Sequence, residues 1–348
     1  MEARGDDARP PRAEAGAARR LRDLGSPTGR VPRRRRGPAR VSTARAELIA
    51  DAGAAAASDE FFRSRPFLEA EGVTHSLRIE SDEGGLIGPL IVREIPGTDA
   101  RDATSPYGYP GLVGSLPILD PAAIDWSGTG LVSAFIRHAL GPSPLANPTD
   151  RNLVQIADPA LPPKSRPSDR RQVRRNLEAG YELEIVPGAA VTPEQRAGFL
   201  GVYEQTMRRT AAAEHYFFGA DYFARILQAP QTWLVLATAP GGSLAAASIA
   251  TVSDGYLHYY LSGSADSHLR DSPMKNVVAR LLEYSSELGL PLNLGGGIAP
   301  GDALEEFKRG FANRQLTWLT SELVCDAETY EQLSRGRDAG AYFPAYRA

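Results

Sequence analysis

The stretch that most constrains this chain runs from Pro291 to Phe311, PLNLGGGIAPGDALEEFKRGF. Leu290, Leu292 and Leu294 alternate as a short strand does, and the strand runs straight into Gly295, Gly296 and Gly297. Consecutive glycines let a backbone approach a neighbour or ligand closely or take a positive φ, at an entropic cost that a plain linker need not carry. Beyond Pro300-Gly301, Asp302 is placed to cap a helix holding Phe307, Lys308 and Phe311. Lys308 also stands out by scarcity: there are three lysines, Lys164, Lys275 and Lys308, among 39 basic residues. A plain strand-to-helix turn with a surface lysine would look the same, so the rest of the chain has to decide.

A length of 348 residues allows two domains or one large one. One cysteine, Cys325, excludes an intrachain disulfide and a cysteine-rich zinc site, and it fits a reducing cytoplasm. His75, His138, His215, His258 and His268 show no ligand spacing, so no metal is expected. No apolar run approaches the ~20 residues that span a bilayer, and the arginine-rich start has no apolar core behind it. The expected location is cytoplasmic. Residues 1–45 hold thirteen arginines against five acids, with almost no large apolar side chains, and are expected to be disordered. Removing that excess of eight from the chain's −3 leaves the body at −11.

From Ala46 to Ala70 an alanine-rich stretch reads as helix followed by loop. His75–Ile79 and Gly85–Arg93 read as strands split by a turn. The loop Ser105-Pro106-Tyr107-Gly108-Tyr109-Pro110-Gly111 holds two tyrosines, Tyr107 and Tyr109, suited to lining a pocket or to covering a sheet. Leu131–Leu140 reads as a helix, Leu153–Ile156 as a strand and Pro159–Pro167 as a linker. Ser168 can cap a helix that runs to Gly180.

Around that helix sit Lys164, Arg166, Arg170, Arg171, Arg174 and Arg175 against the single acid Asp169. This is either a solvated face or the site of a phosphate-bearing partner. A helix follows at Pro193–Thr210, then one at Asp221–Gln228, then three antiparallel strands. On the third strand, Tyr256, His258, Tyr260 and Ser262 share one face by the period of two. Ser272-Pro273 opens a long helix to Gly289, with Ser272 as N-cap, before the glycine-bearing strand. The order implies a mixed, mostly antiparallel sheet flanked by helices, an α+β arrangement whose first half looks like an eroded copy of the second.

At this point the residues resemble a family. The succession Tyr203…Thr206-Met207-Arg208-Arg209…Tyr216, then His258-Tyr259-Tyr260-Leu261-Ser262-Gly263, then Leu294-Gly295-Gly296-Gly297 with Asp302…Phe307-Lys308-Arg309…Phe311, resembles the GNAT-like aminoacyltransferases of the Fem type. The tyrosine-glycine loop at 105–111 resembles that of their first domain. The resemblance spans roughly residues 70–330 and implies two tandem GNAT-like domains. Their boundaries are set at 46–160 and 161–325, with 326–348 returning to the first domain.

Members of that family transfer an amino acid from aminoacyl-tRNA onto an amine of a peptidoglycan precursor, and relatives do similar amide-forming steps on small natural products. By the resemblance, Lys308 with Phe307 serves catalysis, Phe307 packing beneath the terminal adenosine. Arg209 binds an anionic group of the acceptor. Tyr216, Tyr256, His258, Tyr260, Tyr107 and Tyr109 line the acceptor site, with Gly295, Gly296, Gly297 and Asp302 beside it. Arg170, Arg171, Arg174, Arg175 and Arg309 meet tRNA. His258 is a candidate base, or simply a strand histidine bonded to a neighbour.

No cofactor is expected beyond aminoacyl-tRNA as co-substrate. A CoA-using GNAT carries a glycine-containing pyrophosphate loop before its long helix, whereas His268-Leu269-Arg270-Asp271-Ser272-Pro273-Met274-Lys275 has no glycine. The body's −11 and the lack of an inserted helical arm weigh the other way. An acyl-CoA-dependent N-acyltransferase acting on a small amine, and a non-catalytic binding module, remain as alternatives.

Overall fold

A computed structural model describes residues 44–348, so the expectation for residues 1–45 falls outside the described part except at Ala44 and Arg45. The first half contains β1 (Ala44–Ile49), α1 (Arg65–Ala70), β2 (His75–Ser81), β3 (Gly84–Glu94), β4 (Arg101–Thr104), β5 (Val113–Gly114), β6 (Ile124–Asp125), β7 (Ser133–Arg137) and β8 (Thr149–Ala157). After α2 (Pro167–Glu178) come β9 (Glu182–Pro187), α3 (Pro193–Arg209), α4 (Ala220–Ile226), β10 (Thr232–Thr238), β11 (Leu244–Ser253) and β12 (Tyr256–Ser264). The chain ends with α5 (Met274–Leu288), β13 (Leu292–Gly295), α6 (Ala303–Arg309), β14 (Arg314–Val324) and α7 (Ala327–Ser334).

All strands join one sheet in the order β6-β1-β2-β3-β4-β7-β14-β8-β13-β12-β11-β10-β9, with β5 alongside β3. Outside β1 lies the two-residue β6, parallel to it; read inward from β1 on one side and from β9 on the other, the pairing pattern repeats. Four strands pair antiparallel, β1 to β4 on one side and β9 to β12 on the other. The fourth then lies parallel to the fifth, β4 to β7 and β12 to β13. The sixth strands are exchanged: β14 pairs with β7, and β8 pairs with β13. The two exchanged strands also pair with each other, from Arg314↔Ile156 to Thr320↔Thr149. This is a tandem GNAT-like arrangement in which each half supplies the last strand of the other. A parallel pair needs a crossover, and α5 makes it in the second half. In the first half, residues 105–132 cross over without an α-helix.

Several expected elements differ. Residues 131–140 are not helical: Ala134 and Ile136 are buried on one side of β7 while Phe135 and Arg137 alternate with them on the other. Of the alanine-rich stretch 46–70, residues 46–49 belong to β1, Ala52–Ala55 and Phe61–Arg63 are short 3-10 turns, and α-helix is confined to α1. Pairing with β2 outweighs alanine's preference for helix. α2 opens at Pro167 with Arg166, not Ser168, at the N-cap. Ser272 is not the cap of α5; it sits at φ +48 and Pro273 takes that place.

The second half's sheet is covered on both faces. On one, α1, α3 and α4 bury Phe61, Phe62, Phe67, Phe199, Tyr203 and Phe223 against Ile249 and Leu261. On the other, α5 buries Val277, Val278 and Leu281 against Ala250, Leu257 and Leu294, with Phe307 and Phe311 from around α6. α2 rests on α5, where Asn176 Nδ2 donates to Asn276 Oδ1 at 2.7 Å.

Arg63 ties the halves together. Its Nη2 lies 2.7 Å from Asp254 Oδ1 in the β11–β12 turn, and its Nη1 donates to Pro110 O at 2.8 Å. Removing one partner of a buried pair leaves the other charge unpaired, so Arg63→Ala is expected to lower urea-unfolding stability by about 3–5 kcal/mol. The C-terminal segment packs on the first half: Tyr346 Oη is 2.7 Å from Ser133 Oγ, and Arg347 pairs with buried Asp102. Among the described residues no helix is long and apolar enough to cross a membrane, and no cluster of three or more His, Cys, Asp or Glu side chains could hold a metal.

Candidate active site

The site is built where β12 and β13 part. Their parallel pairing covers only Leu257↔Leu292 and His258↔Asn293. Beyond it, β12 continues along β11 to Ser264 while β13 follows β8, where Gly295 faces Gln155. Asn293 closes the apex of this fork. Its amide nitrogen lies 3.0 Å from His258 Nδ1, and its Oδ1 accepts from Gly295 N at 2.9 Å. His258 Nε2 is 3.1 Å from Ser253 O. With a carbonyl at Nε2 and an amide donor at Nδ1, the ring is neutral with its proton on Nε2, and burial pulls its pKa down to about 4. His258 therefore staples the apex, and its lone pair is occupied.

Lys308 spans the fork. Its Nζ donates to Gly296 O on the β13 arm at 2.7 Å and lies 6.0 Å from the ring centroid of Tyr259 on the β12 arm. The residue is 8% exposed, makes no other hydrogen bond among the described residues, and burial lowers its pKa to about 8. The glycines make room for this. A Cβ on Gly295, at φ +74, would stand 3.2 Å from Lys308 Nζ, and on Gly296 it would stand 2.7 Å from Leu153 O. Asp302 caps α6 through Glu305 N at 2.7 Å and also accepts from the amides of Ile298 and Ala299. Phe307 packs on Phe311, ring centroids 5.5 Å apart.

A bulge separates the two faces of β12. Ile249 pairs with Leu261 and Ala250 with Tyr259, so Tyr260 has no partner in the β11 register. Tyr259 packs on the α5 face, and Tyr260 on the opposite face with Phe61 and Phe62. The extra residue also turns Ser262 away from Tyr260. It bonds Tyr259 Oη at 2.6 Å, so the expectation that Ser262 shares a face with Tyr256, His258 and Tyr260 is corrected.

Tyr260 stands in an aromatic cluster with Tyr107 at 5.9 Å; Tyr107 in turn meets Tyr216 at 5.8 Å and Phe218 at 6.2 Å. Tyr109 packs between Phe62 and His258, and Tyr256 is 6.1 Å from the His258 ring. Gly108 permits the Tyr107–Tyr109 loop: at φ +98, a Cβ there would meet the Phe62 ring at 2.4 Å. Sequence reading missed the polar end of this cluster. Tyr222 Oη donates to Glu71 Oε1 at 2.7 Å and lies 2.9 Å from Tyr260 Oη, and Tyr107 N donates to Glu71 Oε2 at 2.9 Å. Burial raises the Glu71 pKa, against the opposing pull of these donors and of Arg137. In the sequence Glu71 looks like a surface acid at a helix end.

The arginines divide. Arg209 pairs with Asp266 and reaches Ser264 O at 3.3 Å. Arg309 is held by Glu305 and Glu306 on its own helix. Arg170 bonds Ser165. Arg171, Arg174 and Arg175 line an open groove of about 580 Å³ with Ser168, Gln172, Glu178 and Lys275. Lys275 is 2.9 Å from Asp169. That groove lies between α2 and the start of α5, on the Lys308 side of the sheet.

Residues 163–309, from just before α2 to the end of α6, match the family model of the acetyltransferase (GNAT) domain. This stretch is therefore similar to a GNAT domain. Beyond that stretch, the fold is similar to the crystal structure of FemX, with a TM-score of 0.55 at 11% identity over 78% of this chain and 93% of that one. Weaker likenesses include the C-terminal domain of a putative lysylphosphatidylglycerol synthetase from Agrobacterium fabrum (TM-score 0.45, 15% identity, 71% and 82% covered). Another is a tandem GNAT protein from the clavulanic acid biosynthesis pathway (0.37, 13%, 72% and 82%). No curated protein matches the sequence. The fork, Lys308 and the basic groove all lie within the matched stretch, whereas Glu71, Tyr107 and Arg137 come from the half before it.

Proposed function

We propose that this GNAT-fold acyltransferase forms an amide bond between an aminoacyl group carried on tRNA and an amine acceptor, either a small metabolite or a cell-wall precursor. The observation that carries the reading is Lys308, a buried cation bonded to one arm of the fork and standing over the other. The amine nitrogen attacks the ester carbonyl, the N–C bond forms and the C–O bond to the terminal ribose breaks. The neutral amine gives up one proton and the ribose oxygen takes one. The Lys308 ammonium stabilises the charge that develops on oxygen, and the fork holds the two reactants in line. No covalent enzyme intermediate is needed.

The two faces suit different reactants. On the Lys308 face lie Arg171, Arg174, Arg175 and Lys275, which favour a polyanion. On the other lie the tyrosines and Glu71, which favour an amine. The start of α5 supports tRNA over CoA as donor. The amides of Lys275 and Asn276 are already given to Ser272 O and Pro273 O, and Pro273 has none to offer. Asp271 Oδ2 accepts from Tyr181 Oη at 2.7 Å and leaves a carboxylate where a diphosphate would have to sit.

Thermal shift with charged tRNA and, separately, with acetyl-CoA tests the donor. A ligand at about 100 times its Kd adds about 2.7 kcal/mol of stability. A shift with aminoacyl-tRNA and none with CoA is expected; a shift with CoA alone would overturn the tRNA assignment.

A further inference from the structure

Two charged groups on the amine-side face lack ionic partners. Glu71 accepts from Tyr222 Oη and from Tyr107 N, yet no Lys, Arg or His nitrogen among the described residues comes within 4.0 Å of it. Arg137 gives its Nη1 to Ser105 O at 2.8 Å and to Thr104 Oγ1 at 3.2 Å, and rests on the Phe135 ring at 5.1 Å. It too has no carboxylate within 4.0 Å among the described residues. The two grip one loop: Glu71 holds the amide of Tyr107, and Arg137 holds the carbonyl of Ser105 two residues earlier. Glu71, Arg137, Tyr107, Tyr216, Phe218, Tyr222 and Tyr260 are all only half-buried, so the cluster keeps contact with solvent. Burial works against both charges: it raises the Glu71 pKa and lowers that of Arg137, and each group pulls the other back. A half-buried anion and a half-buried cation kept apart beside one aromatic cluster are complementary to a ligand that bears both charges.

We propose that the Glu71–Arg137 cluster binds an acceptor carrying an ammonium and a carboxylate on one small frame, an amino-acid-like zwitterion. The ammonium sits against Glu71 and the faces of the tyrosines, where ring quadrupoles add to the ionic attraction. The carboxylate meets the Nε and Nη2 donors of Arg137, which have no other partner among the described residues. Transfer of one proton from the ammonium to the Glu71 carboxylate converts R–NH3+ and –COO− into R–NH2 and –COOH, leaving the neutral amine that attack requires. The proposal rests on the acyl-transfer reading for the use of the bound amine, but its binding claim stands alone.

The test is therefore done without donor. Calorimetric titration of the full chain with glycine, β-alanine, 4-aminobutyrate and 6-aminohexanoate is compared with the alkylamine and the carboxylic acid of matching length. At least one amino acid is expected to bind about tenfold or more tighter than both single-charge counterparts. Glu71→Gln should remove the gain due to the ammonium and keep that due to the carboxylate, and Arg137→Gln should do the reverse. If no amino acid exceeds its counterparts on the wild-type protein, the proposal fails whatever the variants do. If the gain survives both substitutions, the assignment of these two residues fails. Neither outcome touches the tRNA assignment, which the donor titration decides.

Discussion

Lys308→Met is expected to lower the rate of amide formation by about 10²–10³-fold, the loss seen when one donor to a developing oxyanion is removed. The fold should survive. Lys308 makes one hydrogen bond, to Gly296 O, and no ion pair among the described residues, while its ammonium is held in a site that resists charge. Methionine fills much the same volume without that desolvation cost, so the melting temperature should stay the same or rise. The difference in stability carries a sign that can be checked. The folded lysine titrates near 8 and the unfolded one near 10.5. Between those values the unfolded chain holds a proton that the folded chain has released, so wild-type stability rises with pH relative to the variant.

The second large effect concerns the groove between α2 and α5. Arg171, Arg174 and Arg175 are exposed, and among the described residues only Arg174 has an acid within 4.0 Å, Glu178 at 3.9 Å. Reversing all three to Glu replaces three attractions for phosphate with three repulsions. Binding of tRNA should fall by about 10³-fold or more at low salt, and the slope of log K against log salt should flatten by about two to three. The exposed positions leave the fold intact, so circular dichroism and melting temperature should match the wild type. Unchanged affinity and slope would make the groove a solvated face.

How much of this was legible beforehand follows from the range of each interaction. The glycine run, the Asp302 cap and Lys308 all lie within twenty residues, and their local signals lead to a strand, a cap and a helix where β13 and α6 stand. The alternation of Tyr256, His258 and Tyr260 is also local, and it holds until the bulge at Tyr260 shifts the period and carries Ser262 to the other face. Bulges leave little trace in a single sequence. Glu71 and Arg137 were not legible because their meaning depends on contacts across the chain: Tyr222 lies 151 residues from Glu71. Arg137 was hidden further by reading β7 as a helix. The strand exchange that brings the halves together has no local signature, because β8 and β14 read as ordinary strands until their partners are known.

The most direct measurement is the ratio of wild-type to Lys308→Met rates of aminoacyl transfer from charged tRNA, followed from about pH 6 to 10. Taking the ratio cancels the deprotonation of the acceptor amine, which both proteins share. If Lys308 works as a cation, the ratio is large at low pH and falls as the pH rises through about 8, the value set by its burial. A ratio that grows through that region would mean the neutral amine of Lys308 does the work as a base, and a ratio near one throughout would remove Lys308 from the chemistry.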